Sequence, residues 1–312
     1  AKFFKADYIF ISNYNWNKPL NAVIDAANLQ LSTNSTLNFS ISPKEVFDII
    51  FINNSENDSD KSPERTRTRS TITNSKSENK LNEENIDGKR NFKIQNISNQ
   101  LNKIDRINFT FSNSNNNIYN GINSDIPASF RLGLNQDYSF ESVPEIGLNS
   151  GNKEIRQSFT ARTGYKFNNN SSLSLSFNES TTSNLNGYGV NIKTSNRDYF
   201  SYGKYLSKGF PFSNWSLRIG GLEKINFIKN YVNLLSVEHV FSGKQNLSWK
   251  FNDGANIKNI NLLQINSFEN NYAENIQFSR TTQSFSPLIG FTTSFNNGVT
   301  TNVRSNLSYT LD

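Results

Sequence analysis

The chain contains no cysteine and no methionine, and it has one histidine among 312 residues. Without cysteine, neither a disulfide nor a thiolate metal site can form. A single histidine cannot build a metal site, and no carboxylates at ligand spacing surround His239. Phosphate-binding loops, nucleophile elbows and dinucleotide fingerprints are also missing. The sequence therefore predicts a protein that is not an enzyme and that holds no cofactor or metal.

Long apolar runs are missing as well. No stretch of 18 apolar residues is present, so a transmembrane helix is not predicted, and a closed β-barrel is the spanning structure that remains. Methionine is absent even at position 1, and the chain opens without a charged-then-apolar targeting segment. From these features we expect a processed product or, more simply, a piece of a longer polypeptide.

Hydrophobic residues make up only 35% of the chain, and the net charge of +6 is scattered. The densest basic run, Arg65–Arg69, lies in a mixed-charge segment without a recognition motif, so no nucleic-acid partner is predicted. Aromatic residues nevertheless reach 13%, which is unlike a disordered chain. This composition indicates a protein that covers one surface with rings and keeps another surface polar.

Two-residue alternation is the main positive feature of the sequence. Apolar residues recur at every second position from Phe159 to Phe167, the chain turns at Asn168–Asn170, and the alternation returns from Leu173 to Phe177. Serine, threonine, arginine and lysine occupy most of the positions between them. Because successive strand side chains point to opposite faces, this pattern predicts a two-faced antiparallel hairpin. Repeated along the chain, such hairpins predict an all-β antiparallel transmembrane β-barrel with long polar loops.

The composition divides the chain into three parts. Residues 1–52 are predicted to be barrel strands, with 37–41 and 47–51 as two strands joined by a turn at 42–44. Residues 53–90 lack bulky apolar side chains and are predicted to be a polar mobile loop. Residues 91–312 are predicted to be further strands with a short amphipathic helix near 222–231.

Several local patterns within 91–312 lead to more detailed expectations. The asparagine-rich segment 113–123 and the segment 181–196 are predicted to be loops. Phe130, Leu132 and Leu134 alternate as in a strand. Ser242–Lys244 is predicted to turn one hairpin and Asn296–Gly298 another, because Asn-Gly favours tight turns. His239 lies on the apolar side of its strand and is interpreted as a structural or interfacial residue.

Three segments together resemble a known family. Residues 210–224 contain an Asn-Trp pair followed by Gly-Leu-x-Lys, residues 236–243 contain His-x-aromatic-Ser, and residues 285–290 read Phe-Ser-Pro-Leu-Ile-Gly. These motifs occur in the same order in the SprA/Sov family, the outer-membrane translocons of the type 9 secretion system of Bacteroidota. The matching residues are Asn214, Trp215, Gly221, Leu222, Lys224, His239, Phe285, Ser286, Pro287, Leu288 and Gly290.

The resemblance implies a function in protein export. Members of this family form a very wide barrel in the outer membrane that passes folded cargo proteins, including gliding-motility adhesins, to the cell surface. Their partners are outer-membrane lipid, shuttle and plug proteins of the secretion system, and the exported cargo. Because members are several times longer than this chain, the resemblance implies an internal or C-terminal piece of the barrel. The motif residues are expected to shape the barrel or dock partners.

Two other classes remain open on the sequence. One is another outer-membrane barrel, either a porin or a substrate receptor, which shares the alternating strands. The other is a secreted β-sandwich adhesin, in which two sheets would bury their aromatic faces against each other. The sequence does not identify residues that contact cargo.

Overall fold

The computed structural model describes residues 3–18, 26–51, 96–136, 151–186, 191–200, 213–251 and 275–312. These ranges are mostly antiparallel β-sheet, as the alternation predicted. The elements are β1 Phe4–Asn17, β2 Ala27–Ile41, α1 Pro43–Phe51, α2 96–101, β3 Ile107–Ile122, α3 Ala128–Arg131, β4 Asn152–Asn168, β5 Ser171–Asn186, β6 Asn191–Asp198, β7 Asn214–Ile219, β8 Val232–Phe251, β9 Ile276–Phe295 and β10 Thr300–Leu311.

The ten strands form one sheet with nine strand positions. The order is β1-β2-β3-β4-β5-β6-β8-β9-β10, and β7 also pairs with β5 and β8. β6 and β7 therefore lie end to end in a single position between β5 and β8. We call this arrangement the split position. Every neighbouring pair in the sheet is antiparallel.

The register gives the sheet two chemically different faces. The ring face carries a row of aromatic side chains across β2 to β5, in which the Phe39 and Phe109 rings stack with centroids 4.7 Å apart. The polar face carries serine, threonine, asparagine and charged residues at the intervening positions. The predicted hairpin is confirmed, since Ala161 pairs with Phe177 and Tyr165 pairs with Leu173 around a turn at Asn169 and Asn170.

One end of the ring face is covered by the chain itself. Leu29, Leu31 and Ile122 form a buried cluster with Phe130 of α3, and Tyr119 lies edge-on to the Phe130 ring. The burial of apolar side chains such as these is the main favourable term in folding. The segment after α3 also satisfies buried polar groups of the strands, because the Gln136 side chain accepts from Asn115 (2.6 Å) and donates to Thr33 (2.9 Å).

These contacts explain why two predicted loops are strands instead. Segment 113–123 is mostly the second half of β3, which pairs with β2 and β4, and segment 181–196 belongs largely to β5 and β6. Asparagine is uncommon in strands because it competes with the backbone for hydrogen bonds. Here Asn115 and Asn117 instead bond to Gln136, so their amides do not disrupt the ladder.

Two predicted strands are helices. The alternation at 47–51 falls in α1, which begins with Ser42, Pro43 and Glu45, a sequence typical of a helix start. The Val46 amide donates to the Ser42 carbonyl at 3.1 Å, as the first helical turn requires. Similarly, Phe130 belongs to α3 and Leu132 to the turn after it, where Gly133 has a φ of 74°. Short apolar alternations do not distinguish strands from helical turns.

The region 215–251 also differs from its prediction. β8 runs through Ser242–Lys244 without a turn and has 20 residues. The helix predicted near 222–231 is a 3₁₀ turn, Leu222–Lys224, followed by hydrogen-bonded turns up to β8. Asn226 and Asn230 have a low helix propensity, which opposes the helix that the three- and four-residue apolar spacing predicts.

The two ends of the sheet have different connections. The tight turns at 169–170 and 296–299 lie at one end, together with the 220–231 turn. The connection between β2 and β3 leaves from this same end through α1 and returns through α2. Its central part, 53–90, which was predicted to be a mobile loop, lies outside the described residues. The connections between β3 and β4 and between β8 and β9 lie at the opposite end.

Candidate functional site

The split position brings four residues together where β6 ends and β7 begins. On the β8 side, the Gly243 amide donates to Asn214 Oδ1 at 2.8 Å, and the Gly243 carbonyl accepts from the Tyr199 amide at 3.0 Å. On the β5 side, the Asp198 carboxylate is hydrogen-bonded by the Asn178 backbone and the Asn214 side chain. Because an unpaired backbone group inside a sheet is costly, these contacts let one strand position be interrupted.

Gly243 is required at this junction by the approach of the neighbouring backbone. A Cβ atom at position 243 would lie 1.9 Å from the Tyr199 carbonyl oxygen, far inside van der Waals contact. Glycine inside a strand commonly marks such a close approach of another backbone. The glycine that the sequence analysis assigned to a turn therefore belongs to a strand interior.

A cluster of five rings covers the junction on the ring face. It consists of Phe200, Trp215, His239, Phe241 and Phe285, contributed by β7, β8, β9 and the residues after β6. Phe241 lies at its centre and is 1% exposed. Its ring stacks on Trp215 with centroids 4.4 Å apart and contacts Phe200 at 5.0 Å and Phe285 at 4.9 Å. Such ring pairs add about 0.5–1.5 kcal/mol each beyond area burial.

β9 bulges beside this cluster. Between the pairs Glu238–Gly290 and Phe241–Phe285, residues 286–289 of β9 face residues 239–240 of β8. On the other side, residues 286–288 face only residue 306 of β10. Pro287 has no amide hydrogen to contribute to either ladder. The proline ring packs on Gly290, where a Cβ would lie 2.8 Å from Pro287 Cγ.

The His239 side chain supplies a hydrogen bond where the backbone ladder between β8 and β9 is interrupted. Its Nδ1 lies 2.6 Å from the Leu288 carbonyl oxygen inside the bulge. Since a carbonyl can only accept, Nδ1 carries the proton and donates. The imidazole thus replaces a backbone donor that the bulge removes. His239 thus contacts the backbone of the neighbouring strand, and its interpretation as a structural or interfacial residue stays a prediction.

The remaining motif residues lie apart from the ring cluster. Gly221, Leu222 and Lys224 form the turn between β7 and β8, and Gly221 has a φ of 81°, which favours glycine. The Glu223 carboxylate in this turn accepts from the Leu235 amide at 3.2 Å. Backbone amides of Glu223 itself and of Leu235 lower the pKa of the Glu223 carboxyl below its ordinary value. This turn therefore holds the start of β8 in place.

The polar face has an open cleft of about 840 Å³ next to this turn. Lys103, Lys166 and Arg218 line it together with serine and asparagine side chains, and a second cleft of about 520 Å³ contains Arg162. Lys166 pairs with Asp105 at 2.9 Å, whereas Lys103, Arg162 and Arg218 make no ion pair within the described residues. The clefts offer hydroxyl, amide and cationic groups to whatever lies against this face.

The structure thus brings together most of the motif residues that the resemblance selected. Asn214, Trp215 and His239 meet the 285–290 segment around one junction, and the Gly221–Lys224 turn lies at the end of the sheet. The sequence analysis did not include Phe241, Phe200, Gly243 or Asp198 in this site. A glycine within an otherwise regular alternation was the available indication for Gly243. Nothing local in the sequence indicates that β6 and β7 share a position.

Neither a protein-family model nor a curated protein matches the chain. Within the described ranges, no three His, Asp or Glu residues lie close enough to hold a metal ion. None of the helices in those ranges is long and apolar enough to cross a bilayer.

Proposed function

We propose that the sheet is a section of the wall of an outer-membrane β-barrel that conducts proteins in a type 9 secretion system. The observation that carries this proposal is the division of one wide sheet into a ring face and a polar face. A barrel wall needs an apolar band toward lipid and a polar surface toward its lumen. The ring face supplies exposed side chains such as Phe111, Ile289 and Phe291.

The strand lengths support a membrane wall that extends beyond the bilayer. A tilted strand crosses the hydrocarbon layer in about 9–11 residues. β8 and β9 have 20 residues each, and the end of the ring face that carries Leu29 and Leu31 is covered by α3. The uncovered part of the ring face is thus the part available to lipid. In bacterial barrels the short turns face the periplasm, so this proposal puts α1 and α2 at the periplasmic end of the wall.

The width of the sheet supports a large barrel. Eight strands are enough to close a small barrel. The nine positions here remain open, because β1 and β10 do not pair with each other. A sheet that is still open after nine positions needs further strands to close, so the proposed barrel has more than nine positions. A wide, polar lumen is what passage of a folded protein requires, and the SprA/Sov-like motifs favour that role over a porin or receptor.

Arginine scanning of the two faces tests the membrane assignment. Phe291 lies on the ring face and is 43% exposed, and Thr292 is the next residue, on the polar face. If the ring face meets lipid, Phe291→Arg costs about 2–4 kcal/mol, whereas Thr292→Arg stays near neutral. Urea unfolding of the membrane-inserted full-length polypeptide measures the difference. An equal, small effect of both variants would place Phe291 in water and favour a soluble adhesin.

Conductance and export test the proposed transport function. The full-length polypeptide in planar bilayers should give conductance steps several times those of a 16–18-stranded porin, because area grows with strand number. Depleting it from its cells should leave proteins destined for the surface in the periplasm. Porin-sized steps with normal export would instead support the porin alternative.

A further inference from the structure

The direction of the two edge strands limits what can complete the sheet. Each of the eight steps from β1 to β10 across the nine positions reverses the strand direction. β6 and β7 count once, because both are antiparallel to the same two neighbours. After eight reversals, β1 and β10 run in the same direction.

This common direction rules out two simple ways of completing an antiparallel wall. If the sheet curled until its edges met, β10 would pair with β1 in parallel. If a second copy stood beside the first, β10 of one copy would again meet β1 of the other in parallel. Single-chain bacterial barrels are antiparallel throughout and have an even number of strands. A barrel of these nine positions alone, or a ring of copies of this chain, would contain at least one parallel pair and is therefore not antiparallel throughout.

Both edge strands nonetheless expose apolar side chains and unpaired backbone groups. Every residue of β10 is exposed, including Val303 and Leu311 on the ring face at 56% and 71%. β1 likewise exposes Tyr8 and Trp16 on this face. A long, apolar, unpaired edge strand pairs readily with another strand and is seldom left open. In a bilayer an open edge is not tolerated, because its amide and carbonyl groups have no partner.

We propose that β1 and β10 are joined by an odd number of further antiparallel strand positions, so that the complete barrel has an even number, and that a second copy of this chain does not supply them. The occupant next to β10 is a strand that runs opposite to it. Its apolar residues lie beside Val303 and Leu307, and its polar residues lie beside Arg304. Such strands come from the part of the polypeptide that lies outside the described residues. This inference rests on the proposed barrel.

Photo-crosslinking in the full-length polypeptide tests the direction. A benzoylphenylalanine residue replaces Thr301 in one variant and Tyr309 in another, both on the ring face of β10. Mass spectrometry then identifies the crosslinked peptide in membranes. We expect both probes to reach one segment outside β1, with the residue number falling from the Thr301 probe to the Tyr309 probe. A crosslinked segment of the same polypeptide is the expected result, and a segment of a different protein would overturn the assignment of the source.

Two results would overturn the inference. Crosslinks to Phe4–Asn17 with residue numbers rising together would mean parallel closure, within one chain or between copies. No crosslink from either probe would mean that the β10 edge is unoccupied. Both results leave conductance and the arginine test unaffected. Conversely, antiparallel crosslinks in a protein that fails those two tests would reject the membrane channel and keep the extended sheet.

Discussion

Gly243→Val should abolish the split position and prevent most of the protein from reaching its folded state. The valine Cβ would lie 1.9 Å from the Tyr199 carbonyl oxygen, so the end of β6 must move away from β8. That movement breaks the bond between the Tyr199 amide and the Gly243 carbonyl and withdraws Phe200 from the ring cluster. We expect a loss of about 4 kcal/mol or more, at the upper end for single substitutions.

Ser242→Val is the matched control for this substitution. Ser242 is the preceding residue of β8, is exposed, and lies on the polar face opposite Ser284. Valine favours strands, so the control should change stability by less than about 0.5 kcal/mol. Heat-modifiable migration of the full-length polypeptide in membranes measures the folded fraction. Equal migration of the two variants would contradict the close approach at Gly243.

Phe241→Ala should be a strongly destabilising truncation on the ring face. The Phe241 ring is almost completely buried and contacts the Phe200, Trp215 and Phe285 rings. Removing a buried phenylalanine side chain costs about 3–5 kcal/mol, because the cavity is only partly refilled. Urea unfolding of the full-length polypeptide measures the loss. Phe241→Leu keeps most of the volume and should recover more than half of it.

Phe111→Ala provides the comparison for Phe241→Ala. Phe111 is also on the ring face but is 36% exposed. Its truncation leaves no enclosed cavity, so we expect a loss of less than half that of Phe241→Ala. If the two truncations cost the same, the ring cluster would not be the packing centre that its geometry indicates.

Prediction from the sequence succeeded where apolar and polar residues alternate without interruption. The 159–177 hairpin has the predicted faces. It failed for the asparagine-rich half of β3, because asparagine has a low strand propensity, whereas hydrogen bonds to Gln136 satisfy the Asn115 and Asn117 side chains in the sheet. It also failed for 47–51, since five residues do not separate a period of two from one of 3.6.

Prediction of the site had a different limit. The motif residues were found by resemblance, and their spacing along the chain does not indicate that they meet. Asn214 and His239 act on backbone groups of Gly243 and Leu288, which are residues of other strands. Such contacts depend on a register that is set by the whole sheet rather than by local sequence. The register also decides that β6 and β7 share a position.

The split position also has an evolutionary consequence. β6 ends at Asp198 and β7 begins at Asn214, and both strands lie between the same two neighbours. A segment added there changes neither the order nor the direction of any strand. Closing a longer flexible segment costs only about 0.6 kcal/mol for each doubling of its length. An insertion can therefore be accepted midway along a strand position without changing the pairing of the sheet around it.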